Sequence, residues 1–167
     1  LQDAKERGLP CRLAGLTDAD REELETWFPG TFLVKPTRDT GDYVYAIDDL
    51  ADLKGRKYQK KRNHTNRFRA EHPDYRVVPL TPCNMILAQH MINDWYTTRI
   101  KEDPEGDYML ENIALAKACR FYDALGLDGI LLMEGEQVLA VTMGSRLAED
   151  TFDIHFEKAR EEVDGAY

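Results

Sequence analysis

Three β-type runs follow one another in the second half of the chain, and this succession constrains the fold more than any other feature. The apolar run 128–145 is interrupted by a turn at Gly135, which predicts an antiparallel β-hairpin. The run 151–158 then alternates apolar and polar residues, as a strand with one face in the core does. These runs predict a β-sheet, which needs helices packed against it to bury its apolar face.

Two helix patterns and one earlier strand precede the three runs. The strand is 75–81, and Thr81 with Pro82 suits the N-cap and first position of the helix that follows. The second helix pattern stops at Gly126. The apolar residues at helical spacing are Met85, Ala88, Ile92, Trp95 and Ile100 in the first helix and Leu110, Ala114, Ala118, Phe121 and Leu125 in the second. The predicted order is therefore strand, helix, helix, strand, strand, strand.

The first part of the chain predicts a helix and three short strands. Thr17 is a good N-cap for a helix whose first turn is acidic. The ranges 11–17, 31–36 and 42–47 have the composition of strands, and a turn is expected at 37–42 between the last two.

The stretch from Lys54 to Arg69 holds eight basic residues and no acid, although the chain as a whole has 22 Lys and Arg against 31 Asp and Glu. A single helix is expected to begin near Asp48 or Leu53, to cover this stretch and to end before Pro73, with Tyr58, Thr65 and Phe68 directed inward. Such a helix either binds phosphate oxygens or is a solvated helix whose charge balances the acidic remainder. The residues predicted to contact phosphate are Lys57, Lys60, Lys61, Arg62 and His64.

The basic stretch and the sequence IHFEKA, at 154–159, are the most specific parts of a resemblance that runs from about residue 42 to the end. The chain resembles a bacterial family of unknown function whose members are similar to the soluble C-terminal domain of phosphatidylglycerol lysyltransferase. The resemblance implies an α/β acetyltransferase-like fold of the GCN5-related type, with a mixed sheet flanked by helices. It also implies an incomplete tandem repeat, in which 1–75 is the C-terminal part of a first domain and 76–167 is the N-terminal part of a second.

The same resemblance implies transfer of an acyl or aminoacyl group to an amine or hydroxyl. The donor would be an acyl-CoA or an aminoacyl-tRNA, used as a substrate and not as a tightly bound cofactor. The acceptor would be an anionic phospholipid or a small amine. We expect this chain alone to be inactive, because the helix that holds a donor pyrophosphate in such folds would follow Tyr167.

His155 and Glu157 are the residues predicted to act in proton transfer or substrate orientation. With Asp153, they are expected on one side of the strand 151–158, and acyl transfer needs a base for the proton of the nucleophile. The alternative is the solvent side of a half-buried strand. These groups, with no other His nearby in the sequence, do not predict a metal site.

Composition limits the other possibilities. The three cysteines lack metal-ligand spacing and are interpreted as reduced thiols, which favours the cytoplasm, either free or at the membrane periphery. No apolar run approaches the roughly 20 residues of a membrane span. A net charge of −9 argues against a general nucleic-acid coat but allows one local anion site. Two other functions stay open: acetylation of a small amine from acetyl-CoA, and a non-catalytic module that binds RNA or an anionic lipid surface through 54–69.

Overall fold

The structure is a computed structural model that describes residues 2–36 and 41–166, in which six α-helices and four β-strands are present. The chain divides into two compact units, Leu1–Tyr45 and Ala46–Tyr167. The domain boundary expected after residue 75 lies inside the second unit, and the assignment of two acetyltransferase-like domains stays a prediction. The helices are α1 (Gln2–Glu6), α2 (Asp18–Trp27), α3 (Ile47–Asp52), α4 (Gln59–Glu71), α5 (Met85–Glu102) and α6 (Met109–Arg120). The strands are β1 (Tyr75–Pro79), β2 (Asp128–Glu134), β3 (Gln137–Ala148) and β4 (Thr151–Ala159).

The first unit contains the predicted helix but not the predicted strands. Thr17 caps α2, as the sequence indicated, and its side chain and that of Asp20 also form a reciprocal capping box. Among the described residues of this unit no strand is present, so the strands expected at 11–17, 31–36 and 42–47 are wrong. Most of the turn expected at 37–42 lies outside the described residues.

A strand requires a neighbouring strand, and the β-type composition of this region does not provide one. The side chains of Leu33, Tyr43 and Val44 are 98%, 88% and 90% exposed. A lone two-stranded hairpin is only marginally stable in water, because it buries little apolar surface. Residue composition therefore gave the local preference but not the pairing.

The second unit is built on a four-stranded sheet in the order β1-β2-β3-β4. The predicted hairpin and the strand beside it are confirmed, with Gly135 in the left-handed turn conformation at φ 57°. Helices and a β-sheet are both present, which confirms the α/β class. All three strand pairs are antiparallel, however, so the mixed sheet that was expected is not present in the described residues. A single helix commonly joins two parallel strands. Here two successive helices join β1 to β2, so the chain direction reverses once more and the two strands are antiparallel. The arrangement is compatible with an acetyltransferase-like fold.

The core lies where α5 and α6 cover the sheet. Met91 of α5, Leu115 of α6, Leu131 of β2 and Met143 of β3 are each no more than 1% exposed. Burying such a side chain contributes about 1.5–3 kcal/mol relative to leaving it in water. This cluster therefore fixes the two helices against the strands that carry the candidate site.

The buried face of α6 differs from the predicted one. Ala118 is buried as expected, but Leu115 and Cys119 complete the buried face, whereas Leu110 and Phe121 are 70% and 47% exposed. The burial of Cys119 removes its thiol from water, and this desolvation raises the pKa of the thiol. Two helical phases fit this apolar-rich sequence, and only the position of the sheet selects between them.

The start of α5 also differs from the prediction. The helix begins at Met85, and the expected cap, Thr81, lies in the turn before it. The Thr81 backbone N–H donates to Asn84 Oδ1 at 2.7 Å, so the two side chains organise a turn instead of a helix cap. Asn84 in turn donates to the Pro79 carbonyl at 2.9 Å, which joins this turn to the end of β1.

Helix α4 contacts the sheet through one aromatic group at its C-terminal end. Phe68 is 4% exposed, stacks on His72 at 4.9 Å and meets the Tyr75 ring edge-on at 5.2 Å. His72 Nδ1 lies 2.9 Å from a carboxylate oxygen of Glu134 on β2. These contacts hold the basic helix beside the sheet.

Candidate functional site

The basic stretch is present as a short 3-10 turn at Arg56–Tyr58 followed by α4. Tyr58 and Phe68 are buried and Thr65 is half-buried, which confirms the predicted inward residues. The single helix that was expected is divided from α3, because Leu53 and Gly55 adopt left-handed backbone angles, with φ 49° and 86°.

Two of the predicted phosphate contacts have internal partners at this division. Lys57 Nζ donates to Asp49 Oδ2 at 2.9 Å, and this hydrogen bond lowers the pKa of Asp49 and raises that of Lys57. The Arg62 guanidinium donates to the Gly55 carbonyl at 2.7 Å and also to the Leu53 carbonyl. These two cations therefore stabilise the junction between α3 and α4.

His64 and Arg67 of α4 contact the segment that follows β4. His64 Nδ1 lies 3.0 Å from Asp164 Oδ1, and Arg67 donates to the other oxygen of the same carboxylate. The hydrogen bond with His64 and the positive charge of Arg67 lower the pKa of Asp164. Gly165 packs so closely on α4 that a Cβ there would lie 2.6 Å from the His64 carbonyl oxygen.

Lys60 and Lys61 differ from the other three predicted phosphate contacts. Both are exposed, and neither has an ion-pair partner within 2–36 and 41–166. Lys60 precedes His64 by one helical turn and so shares its face of α4. Of the five residues predicted to bind phosphate, these two are the cations with no internal role in the described part of the chain.

His155 lies between two polar side chains on neighbouring strands. Its Nε2 is 2.7 Å from the Ser145 hydroxyl oxygen on β3, and its Nδ1 is 3.3 Å from Asp153 Oδ2 on β4. Ser145 and Asp153 are direct partners in the antiparallel register, so their side chains lie on the same face. The His155 and Asp153 side chains are 34% and 45% exposed, which leaves the group open to a substrate.

A β-bulge sets the position of His155. The register pairs Gly144 with Ile154 and Met143 with Phe156, so His155 is an extra residue in β4. A bulge interrupts the ladder and redirects the side chains beside it. Gly144 also has no room for a side chain, because a Cβ there would lie 2.2 Å from the Asp153 carbonyl oxygen.

Glu157 lies beyond the bulge and faces a different environment. It lines a groove of about 470 Å³, whose other walls include Trp95 and Arg99 of α5, Lys158 of β4 and Asp164. No side-chain hydrogen bond or ion pair joins Glu157 to His155 or to any other residue in the described ranges. The predicted pair His155 and Glu157 is therefore not one cluster.

The other charges beside the groove are held in pairs. Lys158 Nζ is 2.8 Å from Glu111 Oε1 and 4.2 Å from the centre of the Trp95 ring. Burial raises the pKa of Glu111, but hydrogen bonds from Lys158 and from Tyr96 outweigh it, so that this pKa is lowered. Arg99 binds Glu161 at 2.6 Å.

Sequence reasoning missed Ser145, and for Trp95 it preferred a place in the core to a place in a ligand site. The pairing of Ser145 with Asp153 depends on the register of β3 and β4, which a bulge shifts. The useful signal in the sequence was the Gly144–Ser145 pair at the polar end of an apolar strand, because a glycine inside a strand often marks a bulge or a close backbone approach.

None of the helices in 2–36 and 41–166 has the length and apolar character needed to cross a membrane. Likewise, no group of three or more His, Cys, Asp or Glu side chains in these ranges is arranged to hold a metal ion.

Comparison with known proteins gives one family and one structural relative. The family model described as "Phosphatidylglycerol lysyltransferase, C-terminal" matches residues 1–167. A crystal structure of a conserved protein of unknown function from Bacteroides thetaiotaomicron VPI-5482 is similar, with a TM-score of 0.92 and 36% sequence identity. The similarity covers 99% of this chain and 56% of that one, so the chain spans little more than half the length of this relative. No curated protein matches the chain.

Proposed function

This chain belongs to the family of phosphatidylglycerol lysyltransferase C-terminal domains, and we propose that it takes part in transferring an aminoacyl or acyl group to an amine or hydroxyl acceptor. The family name refers to a transferase, which supports an aminoacyl-transferase-like function. The identities of the donor and the acceptor, and the roles of the residues that bind them, are likewise proposed.

The observation that carries the proposal is the contact between the basic helix and the groove. Asp164 lines the groove and binds His64 and Arg67 of α4. A ligand that enters the groove beside Asp164 therefore passes close to the face of α4 that also bears Lys60. One bound molecule can in this way place its acyl end in the groove and its phosphates on the helix.

A phosphate-bearing donor fits the two uncommitted lysines. Lys side chains bind phosphate oxygens as point charges, and exposed cations attract a polyanion over a distance of about 8–10 Å at physiological salt. Both an aminoacyl-tRNA and an acyl-CoA are polyanions with an activated acyl group. Lys60 and Lys61 are assigned to the donor phosphates in either case.

Glu157 supports an aminoacyl group more than a simple acyl group. Glu157 is one of the residues that line the groove, together with Trp95, and its side chain has no ion-pair partner in the described ranges. The free ammonium of an aminoacyl group is a cation that such a carboxylate binds, whereas an acetyl group offers none. Glu157 is therefore proposed to orient the substrate, and aminoacyl-tRNA is the preferred donor.

A non-catalytic function is the second candidate, because Lys60 and Lys61 are exposed on a helix surface. The same two lysines would serve a module that binds RNA or an anionic lipid surface. Such a module would bind tRNA equally well with or without an attached amino acid, and it would not release that amino acid.

Donor deacylation separates these functions. The protein in its full natural length is incubated with a pool of labelled aminoacyl-tRNAs, or with acetyl-CoA, in the presence of phospholipid vesicles and small amines. Loss of label from tRNA faster than in a protein-free control, and slower in Glu157→Gln, supports the proposal. Acetyl-CoA consumption alone would favour acetylation, and binding of tRNA without deacylation would favour the non-catalytic module.

A further inference from the structure

We propose that Ser145 is a nucleophile, activated by His155 and oriented through Asp153, which accepts an acyl group from an activated ester or thioester. This inference goes beyond the proposed function, since direct transfer from donor to acceptor requires no covalent intermediate on the protein. It depends on the geometry of β3 and β4 and not on the identity of the donor.

The distances match the order that nucleophilic catalysis requires. The hydroxyl oxygen of Ser145 is within hydrogen-bond reach of His155 Nε2, at 2.7 Å, and the opposite ring nitrogen is 3.3 Å from Asp153. A nucleophile, a base and a group that orients the base are the parts of such a site on any fold. Here all three come from one pair of antiparallel strands.

The backbone supports this arrangement at two positions. The bulge makes His155 an extra residue in β4, which leaves it outside the regular ladder of hydrogen bonds. A backbone N–H released from the ladder is the type of donor that stabilises an oxyanion. The close approach at Gly144 brings the two strands together beside Ser145. The short side chain of Ser145 can therefore reach the imidazole ring of His155.

The proposed step balances as follows. The Ser145 oxygen attacks the acyl carbon, its proton passes to His155 Nε2, and a C–O bond to the protein forms. The bond from the acyl carbon to the leaving alcohol or thiol then breaks, and that group takes the proton from His155. Water, or an amine or hydroxyl acceptor, later attacks the acyl-serine and loses a proton to His155. The bond between the acyl carbon and the Ser145 oxygen then breaks, the Ser145 oxygen takes the proton from His155, and the acid or the acylated acceptor is released.

The openness of the site selects the substrate class. His155 and Asp153 are each at least one-third exposed, so the site does not exclude water. Electrostatic stabilisation of a developing oxyanion is weaker in contact with water than in an enclosed pocket. Esters and thioesters with good leaving groups need less of this stabilisation than amides do, so the proposed substrates are activated esters and thioesters.

Ser145 is the only serine in the 167 residues, which makes the test direct. The protein is treated with a fluorophosphonate probe, and the modified residue is located by peptide mass spectrometry. We expect Ser145 to be labelled in the folded protein at least about 100-fold faster than in the same protein unfolded in urea, the scale of general-base assistance. Labelling at equal rates in the folded and unfolded protein would overturn the proposal.

Variants at His155 and Asp153 show whether these residues activate Ser145 or only support the structure around it. His155→Ala is expected to slow labelling about 100-fold, and imidazole added to the solution is expected to restore part of the rate. Asp153→Asn is expected to slow labelling, with partial recovery in Asp153→Glu. A His155→Ala protein that is labelled as fast as the parent, or that is slow and unaffected by imidazole, would contradict activation by His155.

Donor deacylation by Ser145→Ala distinguishes this inference from the proposed function. Unchanged transfer in this variant would rule out the covalent step and leave the transferase proposal intact.

Discussion

The carboxylate of Asp164 lies 3.0 Å from the imidazole of His64, across a separation of 100 residues in the chain. This contact fixes the segment after β4 against the basic helix and makes that helix a neighbour of the groove. The proposed relationship between the groove and Lys60 and Lys61 depends on this contact.

Asp164→Asn should release the segment after β4 from α4 without unfolding the second unit. The pair is solvent-exposed, and exposed ion pairs contribute little to the free energy of unfolding. We therefore expect a nearly unchanged melting temperature but faster hydrogen exchange over 161–166. Asp107→Asn, at an exposed acid elsewhere in the second unit, is the control. Unchanged exchange over 161–166 would show that other contacts hold the segment.

Acid should release the same segment in the parent protein. The hydrogen bond with His64 lowers the pKa of Asp164, so its ionised form stabilises the contact. The stabilisation is present above the ordinary aspartate pKa of about 3.9 and is lost as the pH falls through the lower pKa of the folded state. Protection of the backbone amides over 161–166, after correction for the pH dependence of intrinsic exchange, should fall in that acidic range, and Asp164→Asn should lack this transition. A transition of equal size in the variant would assign it to another group.

Gly144→Ala should destabilise the β3–β4 pair. Its Cβ would lie 2.2 Å from the Asp153 carbonyl oxygen, which forces the strands apart, and overpacking of this kind costs about 1–3 kcal/mol. The matched control is Gly135→Ala, at a hairpin glycine with φ 57° and nothing within 4 Å of the added carbon. The control tests backbone conformation alone, at about 1–2 kcal/mol. Denaturant unfolding measures both. Disordering of the His155 resonances in Gly144→Ala only is the expected local effect, and native resonances in that variant would argue against the close approach.

Glu111→Gln should destabilise the second unit, because Glu111 is the ion-pair partner of Lys158 beside the groove. Its partner Lys158 has a side chain only 11% exposed, and loss of the carboxylate leaves that ammonium without its ion pair. The glutamine amide oxygen can still accept from Lys158 but carries no charge, and a hydrogen bond between ionised partners is roughly twice as strong, so we expect a loss of about 1 kcal/mol. Urea unfolding of Glu111→Gln should show this loss, whereas Glu136→Gln, in the exposed hairpin turn, should not. Equal stability of the two variants would mean that water replaces Glu111 at Lys158.

The fold of the second unit was largely predictable because local patterns and long-range pairing agree there. The strand β4, the turn at Gly135 and the inward positions of Tyr58 and Phe68 all follow from periodicity. Near the start of the chain, the residues 31–36 and 42–47 have the composition of strands, but no neighbouring strand in the described part of the chain pairs with them. Composition alone therefore gave a wrong prediction there.

The candidate site was less predictable, because it depends on the register and on backbone carbonyls. Arg62 has the composition of a phosphate ligand, yet its guanidinium donates to the Leu53 and Gly55 carbonyls at a break that no periodicity marks. His155 was found as a titratable group on a strand, whereas its partner Ser145 follows only from the bulged pairing of β3 with β4. Glu157 was grouped with His155 by alternation, which the bulge interrupts.

The assignment of donor phosphates to Lys60 and Lys61 determines the design of the most direct test. Lys60→Glu with Lys61→Glu reverses the two cations that have no ion-pair partner in the described ranges, and it leaves Arg62 to stabilise the α3–α4 junction. Lys101→Glu with Lys117→Glu, at exposed lysines of α5 and α6, makes the same change in net charge away from the groove.

Binding of tRNA and of CoA to the full-length protein and to these two double variants, measured by fluorescence anisotropy at low salt, tests the central claim. We predict that the parent binds at least one of the two polyanions and that Lys60→Glu with Lys61→Glu weakens this binding roughly tenfold or more, whereas the α5 and α6 control weakens it much less. All three proteins should have similar melting temperatures, because exposed charges contribute little to stability. Equal affinity in the parent and the α4 variant, or equal loss in both variants, would contradict a donor-binding role for the basic helix.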